Sequence, residues 1–423
     1  MNKSDIKYKQ FVQILNEELV PAMGCTEPIS IAYASAMAKS VLGAIPDEVT
    51  VEASGNIIKN VKSVIVPNTN GLCGIKAAAA AGIIAGNALK ALEVISDVSD
   101  AQKKDISAYV REKPIKVEIA KGTKVFDLIV KVSKAGHYAK VRIADYHTNI
   151  VLVEKDGKIL SHKEAEIQES VKTDRSILNV KDIYDFALMV DIEDVRKIIQ
   201  RQIDYNYSIA EEGLKNSYGA NIGKVLLREY GNDVRTRAKA LAAAGSDARM
   251  SGCDMPVVIN SGSGNQGIAA SVPVIEYAKE LKCSEDKLFR ALVLSNLLAI
   301  HQKTNIGCLS AYCGAVSAGS AAGAAICYLM GGDCKAISHC LVNSLAIVSG
   351  IVCDGAKPSC AAKIAFSVEA GIFGGNMYKD AQQFLGGDGI VKKGVENTII
   401  SVGKLGKDGM KETDREILKI MIE

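Results

Sequence analysis

Cysteines are the residues of this sequence whose number and position most suggest chemistry. The chain has 11 cysteines, and nine of them follow residue 250. The stretch GIVCDGAKPSC (350–360) places Cys353 and Cys360 on either side of residues that break regular structure, where a run of small apolar residues ends. Forty residues before Cys353, NIGCLSAYCGAVSAG (305–319) contributes Cys308 and Cys313. In a reducing compartment these thiols are ligands or packing residues rather than disulfides.

The spacing of the thiols disfavours several common kinds of cysteine site. No C-x-x-C pair occurs, which disfavours a structural zinc ribbon and a redox dithiol. The four-cysteine run of bacterial ferredoxins is also missing. Three separated thiolates at the ends of buried helices suit a [4Fe–4S] cluster with one open iron, which is a Lewis acid with room for a substrate atom. Packing stays the alternative for any single cysteine, because free cysteine is a good small core residue.

Three further segments could act on a bound ligand. In PAMGCTEP (21–28), Cys25 precedes an expected helix start, where amide N–H groups and the helix dipole lower a thiol pKa; Glu27 either orients it or only complements the dipole. The loop in INSGSGNQGIAASVPVI (259–275) offers successive N–H groups before a helix, which is either an anion nest or a tight glycine turn. PNTNG (67–71) is a second polar turn that could close the site from another domain.

The elements that must position these residues indicate two kinds of domain. A chain of 423 residues is too long for one ordinary core. The predicted fold class is α+β and mostly α: a small α/β N-terminal unit with antiparallel strands, and a larger all-α domain with buried Gly/Ala-rich helices. The predicted boundaries are 1–44 for N-terminal helices, 45–170 for the α+β domain and 171–423 for the all-α cluster domain.

Within the α+β domain, alternation of apolar and polar residues predicts strands. The segments are DEVTVEAS, NVKSVIVPNTNG, PIKVEIA, DLIVKVS, YAKVRIA and NIVLVEKDGK. The last hairpin should turn at Asp156 and Gly157. Residues 75–95 are predicted to form one Ala-rich helix.

Residues 304–332 carry no formal charge and are long enough to span a bilayer. We favour a buried helix of a soluble bundle, because Ser, Asn, Gly and Cys dilute the hydrophobicity and no aromatic belt or basic flank is present. A non-enzymatic membrane protein is the alternative.

Composition limits the partners. The net charge of +3 gives no electrostatic case for nucleic acid, and Trp is absent. The polar opening MNKSDIKYKQ is not a signal peptide, so we expect a cytoplasmic protein.

In combination, GCTEP, GSGNQG and VCDGAKPSC resemble the L-cysteine desulfidase family, a relative of the iron–sulfur L-serine dehydratase alpha chains. The similarity to the dehydratases covers most of residues 235–370, and the whole chain is more similar to the desulfidases. The resemblance implies a carbon–sulfur lyase that uses a [4Fe–4S] cluster to convert L-cysteine to hydrogen sulfide, ammonia and pyruvate. The reaction it implies is a non-redox α,β-elimination.

The resemblance also implies roles for individual residues. Cys313, Cys353 and Cys360 would be the cluster ligands, with Cys308 as the rival of Cys313. Cys25 would remove the substrate Cα proton, and Glu27 would orient it. The substrate-binding residues that we expect are Asn68, Thr69, Asn70, Ser263, Gly264, Asn265 and Gln266.

Some features depart from the dehydratase pattern and favour cysteine over serine as the substrate. The Cys353–Cys360 spacing is shorter than theirs, LVNS replaces their EHN, and GCTEP replaces their Ser/His-rich opening motif. A [4Fe–4S] L-serine dehydratase stays an alternative. A pyridoxal-phosphate lyase is another, because SGSGNQG resembles a phosphate cup, although no convincing Ser-x-Lys motif for the Schiff-base lysine precedes it. The expected partner is a small molecule, L-cysteine, with no nucleic acid and no membrane; whether the chain is a homodimer stays open.

Overall fold

A computed structural model describes residues 3–122, 124–163, 173–307 and 309–422. The α-helices are α1 (Ile6–Glu18), α2 (Thr26–Leu42), α3 (Gly55–Val61), α4 (Gly74–Ala85), α5 (Asp100–Glu112), α6 (Val180–Met189), α7 (Ile192–Lys215), α8 (Ile222–Tyr230), α9 (Val234–Met250), α10 (Gly264–Glu280), α11 (Glu285–Ile306), α12 (Gly314–Leu329), α13 (Cys334–Val348), α14 (Cys360–Lys379), α15 (Val395–Lys404) and α16 (Lys411–Ile422). The strands are β1 (Pro21–Met23), β2 (Glu48–Ala53), β3 (Ile115–Ile119), β4 (Asp127–Lys134), β5 (His137–Ala144), β6 (Ile150–Lys155), β7 (Lys158–His162) and β8 (Pro256–Val258). The predicted fold class is confirmed: a small sheet-containing N-terminal part precedes a larger helical part.

Six strands form one sheet in the order β3-β2-β4-β5-β6-β7. β2 pairs with β3 in parallel, and the other neighbours are antiparallel. The sheet is therefore mixed rather than purely antiparallel, because α3, α4 and α5 form the crossover that a parallel pair requires. The predicted turn at Asp156 and Gly157 is present, with φ of 49° and 80°, the positive values of a type I′ hairpin turn.

Two predictions in the N-terminal part are wrong. NVKSVIVPNTNG is no strand: helix α3 runs to Val61, and the rest of the segment forms only a β-bridge between Ile65 and Cys73. Its alternating valines are buried in a folded loop, which produces the same pattern as a strand. The helix predicted for 75–95 ends at Ala85, and a 3₁₀ turn, Ala88–Glu93, follows.

The two ends of the chain cross between the domains. Helix α1 belongs to the helical part, where Tyr8 and Phe11 lie edge-on against Phe186, with ring centroids 5.2 and 5.1 Å apart. β1 pairs with β8 of the helical part, whereas α2 packs on the sheet. At the other end, α16 returns to α3 through an ion pair between Lys59 and Asp414. The boundary at 44/45 stays a prediction, and the boundary at 170/171 lies outside the described residues.

Helix α12 is the central Gly/Ala-rich helix, and it packs most extensively on α14. Nearly all its residues are buried, as expected for 304–332. A Cβ atom on Gly323 would lie 2.2 Å from the carbonyl carbon of Gly371. Glycine is therefore required for the two backbones to approach, and this approach fixes the N-terminal ends of both helices.

In the part of the chain that the structure describes, no helix has the length and apolar character that a membrane span requires.

Gly323→Ala should destabilise the protein by about 1–3 kcal/mol, because the added methyl group overpacks a backbone contact that cannot move freely. The free energy of unfolding in urea measures the effect. Gly350→Ala is the matched control, since a Cβ at Gly350 meets no atom within 4 Å. Equal unfolding midpoints for the two variants would contradict this account of the α12–α14 contact.

Candidate active site

A cavity of about 760 Å³ is lined by residues of the sheet-containing N-terminal part and of the helical part, and it receives the N-terminal ends of several long helices. Cys25 is the N-cap of α2, Ser263 that of α10 and Cys313 that of α12, and Cys360 is the first residue of α14. All four residues line the cavity. Each helix start presents free N–H groups and partial positive charge. The cavity is therefore suited to hold negatively charged groups.

Cys313 and Cys353 are brought together by a short antiparallel contact. Tyr312 and Val352 form a β-bridge. The N–H of Cys353 donates to the carbonyl of Ala311 at 2.6 Å, and the N–H of Cys313 donates to the carbonyl of Ile351 at 3.1 Å. Cys313 is thus opposite Ile351, and Cys353 is its diagonal neighbour on the same face. The Cα atoms of such diagonal neighbours lie roughly 7–8 Å apart.

Cys360 is held by the turn that separates it from Cys353. Gly355 has a φ of 91°, which the turn requires. The Lys357 N–H donates to Cys360 Sγ at 3.4 Å, and this sulfur lies 3.5 Å from the Gly355 carbonyl. Burial, together with the nearby Cys353 and Cys360 sulfurs, raises the pKa of the Cys313 thiol to about 12. The three thiols are therefore within electrostatic range of one another.

The donor set suits a multi-iron cluster better than a single ion. With metal–sulfur bonds of about 2.3 Å, two sulfurs on one ion lie at most about 4.6 Å apart. Over the described ranges, no group of three or more His, Cys, Asp or Glu side chains could hold a metal ion. Iron–sulfur clusters accept cysteines on separate irons, so Cys313, Cys353 and Cys360 could each bind a different iron. Cys308 lies outside the described residues, so Cys313 stays the predicted ligand.

Cys25 and Glu27 form a buried pair at the start of α2. Cys25 Sγ donates to Glu27 Oε2 at 3.2 Å, and the Thr26 hydroxyl donates to the same oxygen at 3.1 Å. Burial and the adjacent Glu27 carboxylate raise the pKa of the Cys25 thiol. The expectation that the helix start lowers this pKa is therefore wrong, because Cys25 is 2% exposed and faces a carboxylate.

His147 lies on the other side of Glu27 and was missed by the sequence analysis. Its Nε2 is 3.8 Å from Glu27 Oε1, and its ring packs edge-on against Phe126 at 4.8 Å. The Asn60 amide donates to the same Glu27 oxygen at 2.8 Å. Burial opposes ionisation of Glu27, but His147 and the Cys25 thiol together hold its pKa well below the usual range. His147 follows β5 in a loop whose sequence has no recognisable ligand spacing.

The SGSGNQG loop forms a tight turn that opens helix α10. Asn260 and Ser263 exchange backbone hydrogen bonds, and Ser261 and Gly262 have positive φ of 50° and 79°. Ser263, Asn265 and Gln266 line the cavity. Gln266 packs against Gly314, the residue after Cys313, where a Cβ would lie 2.5 Å from Gln266 Cδ. The loop therefore lies beside the thiols, as a substrate-binding segment should.

The PNTNG turn is not brought to the cavity. The Asn68 N–H donates to Asp254 Oδ1 at 2.9 Å, and the Thr69 hydroxyl donates to the Val66 carbonyl at 2.6 Å. Asn70 is exposed. The Asn68 side-chain amide donates to the Ile95 carbonyl at 2.9 Å, so the polar groups of Asn68 and Thr69 are already used, and none of the three residues lines the cavity. Their expected role in substrate binding therefore has no support from the geometry.

Comparison with known proteins places the chain in a family. Residues 89–419 match the family described as serine dehydratase alpha chain. The chain belongs to the serine dehydratase alpha chain family. This family indicates a lyase-type enzyme with a small-molecule substrate.

Similar proteins extend over the full chain. A UPF0597 protein of Desulfitobacterium hafniense is 58% identical over 423 residues, covering 100% of this chain and 98% of that protein. UPF0597 proteins of Lachnoclostridium phytofermentans (52% over 415 residues, 98% of this chain and 100% of that protein) and Treponema denticola (48% over 430 residues, 100% of both) are also similar.

The part matched to the serine dehydratase alpha chain family contains the three thiols, the SGSGNQG loop and His147. Cys25, Glu27 and Asn60 precede it.

Two further cavity residues in the matched part were not anticipated: Arg249 and Tyr312 are 2% and 1% exposed. Arg249 Nε and the Tyr312 hydroxyl have no hydrogen-bond partner in the described chain. A charged residue inside the apolar pattern of α9 is the one signal that could have indicated Arg249.

Proposed function

We propose that this chain is a [4Fe–4S]-dependent L-cysteine desulfidase. The observation that carries the proposal is the convergence of Cys313, Cys353 and Cys360 with the Cys25–Glu27 pair on one cavity. Chains of the family generally depend on iron–sulfur. The overall reaction consumes one water and converts L-cysteine to hydrogen sulfide, ammonia and pyruvate.

Cys313, Cys353 and Cys360 would hold the cluster. When bound, the cluster supplies an open iron that acts as a Lewis acid toward the leaving sulfur. The Lys357 N–H, which donates to Cys360 Sγ, and the α12 and α14 helix starts stabilise negative charge on these sulfurs. Lys363, which forms an ion pair with Asp354, also lies near Cys360 and Cys313.

Cys25 is the proposed base for the Cα proton. To act as the base, the Cys25 thiol must first pass its proton to Glu27 Oε2, 3.2 Å away, and its thiolate can then take the Cα proton. Glu27 is held by Asn60 on one side and faces His147 Nε2 on the other. We therefore assign Glu27 the role of orienting Cys25. His147, from the N-terminal sheet-containing part, is the group next to Glu27.

L-Serine dehydration is the second candidate, because the family carries that description. The shorter Cys353–Cys360 spacing and GCTEP favour cysteine. Within the proposal the enzyme works in the cytoplasm, where thiols stay reduced. The cysteines of the described chain all carry free thiols.

Anaerobic purification followed by iron and acid-labile sulfide analysis tests the cofactor. Sulfide and pyruvate release from L-cysteine, compared with pyruvate release from L-serine, tests the reaction. We expect a brown protein with about equal iron and labile sulfide, and a higher kcat/KM for L-cysteine than for L-serine. A colourless active protein, or a preference for L-serine, would contradict the proposal.

A further inference from the structure

Arg249 is a buried cation without a carboxylate partner. It is 2% exposed, near the end of α9, and its Nη1 donates to Asn265 Oδ1 at 3.1 Å. Its Nε has no hydrogen-bond partner, and within the described ranges it forms no ion pair. An uncompensated buried charge is costly unless an anion pairs with it. Arg249 lines the cavity, so an anion bound there can reach it.

A second positive group lies against the guanidinium. A Cβ on Gly264, the first residue of α10, would lie 2.3 Å from Arg249 Nε. The absence of a side chain there allows the guanidinium to reach the positive end of a helix of 17 residues. A cation and a helix start on the same spot repel each other in the absence of an anion. Together the guanidinium and the helix start form a binding site for an anion, and a bound anion removes this repulsion.

The groups around this spot match the rest of an α-amino acid. Gln266 is 7% exposed and lines the cavity, and its Oε1 has no hydrogen-bond partner in the described chain, so it can accept from an ammonium group. Cys25 packs on Met250, the residue after Arg249, and the charge of Arg249 partly offsets the rise in the pKa of the Cys25 thiol, so the proposed base is within electrostatic range of the guanidinium.

Resting on the proposed function, we propose that Arg249 and the α10 helix start bind the α-carboxylate of the substrate, and that Gln266 Oε1 accepts from its ammonium group. Arg249 then selects free α-amino acids over their amides and esters. The carboxylate is held at the end of the cavity where Cys25 lies, which turns the Cα hydrogen toward the base.

The kinetic test compares L-cysteine with L-cysteinamide, which has no carboxylate. In Arg249→Gln we expect kcat/KM for L-cysteine to fall roughly 30-fold or more, and kcat/KM for L-cysteinamide to change less than threefold. Arg249→Lys should keep part of the preference, because it keeps the charge but not the fork of donors. Arg235→Gln is the matched control: it lies on the same helix, pairs with Glu369 outside the cavity and should behave like the wild type.

Gly264→Ala provides a second variant that keeps the arginine. Its methyl group displaces the guanidinium, so it should reproduce the loss of preference. Iron content must equal that of the wild type in all variants. Equal losses for acid and amide, or loss of iron in Arg249→Gln, would overturn the inference and make Arg249 a partner of the thiolates.

Binding without turnover separates this inference from the proposed function. Calorimetric titration with L-alanine and L-alaninamide needs no leaving group. Tighter binding of L-alanine than of the amide by wild type, with the difference lost in Arg249→Gln, supports the carboxylate site even if no sulfide is released from L-cysteine. Equal binding of the two compounds by wild type contradicts it.

Discussion

Cys353→Ala and Cys360→Ala should each remove the bound iron and lower sulfide release from L-cysteine at least 100-fold. Each substitution takes away one of only three protein ligands of the proposed cluster, and the remaining thiols lie on separate helices and turns that cannot close around the gap. Iron analysis, visible absorbance and the sulfide assay under anaerobic conditions measure the effect.

Cys334→Ala is the matched control for Cys360→Ala. Cys334 is the first residue of α13, as Cys360 is of α14, but it does not line the cavity. It should keep full iron content and activity. Full iron in Cys353→Ala and Cys360→Ala would show that these thiols are packing residues.

Cys25→Ala should keep the iron and lose activity by about 10²–10⁴-fold, the contribution of a positioned general base. Cys25 is 2% exposed and lies at the N-cap of α2. It is far in sequence from the three proposed ligand cysteines, so the alanine substitution removes the Cys25 thiol alone. The readouts are kcat for sulfide release and iron content on the same preparation.

Cys73→Ala controls for loss of an N-cap thiol. Cys73 caps α4 in the same way, but it is exposed and lies outside the cavity lining. Retained activity in Cys25→Ala would remove Cys25 from the mechanism. Loss of iron in Cys25→Ala, with iron retained in Cys73→Ala, would instead make Cys25 a cluster ligand.

The sequence alone located the site residues whose chemistry follows from their residue type. Cys25, Cys313, Cys360 and the SGSGNQG loop line one cavity because they lie at helix starts that converge, and Cys353 joins them through its contact with the segment before α12. The fold class followed from the same local patterns, since small Gly and Ala residues allow helices to pack closely in a buried bundle.

The features of the site that could not be predicted from the sequence depend on contacts between residues far apart in the chain. Arg249 and His147 reach the cavity through the packing of α9 and through the loop after β5, and neither is marked by spacing in the chain. PNTNG has the polar residues of a binding loop, but hydrogen bonds within the turn and to Asp254 use them. The raised pKa of Cys25 depends on burial and on Glu27, whereas the helix start is the only influence visible in the sequence.

The crossing of the chain between domains has a consequence for biosynthesis. β1 pairs with β8, and the cavity needs residues from Cys25 to Cys360. At roughly 5–20 residues per second, a ribosome needs on the order of tens of seconds to make that span. Until Cys360 has been made, the set of three thiols proposed to hold the cluster is incomplete, so within the proposed function cluster insertion follows synthesis of the helical part rather than accompanying it.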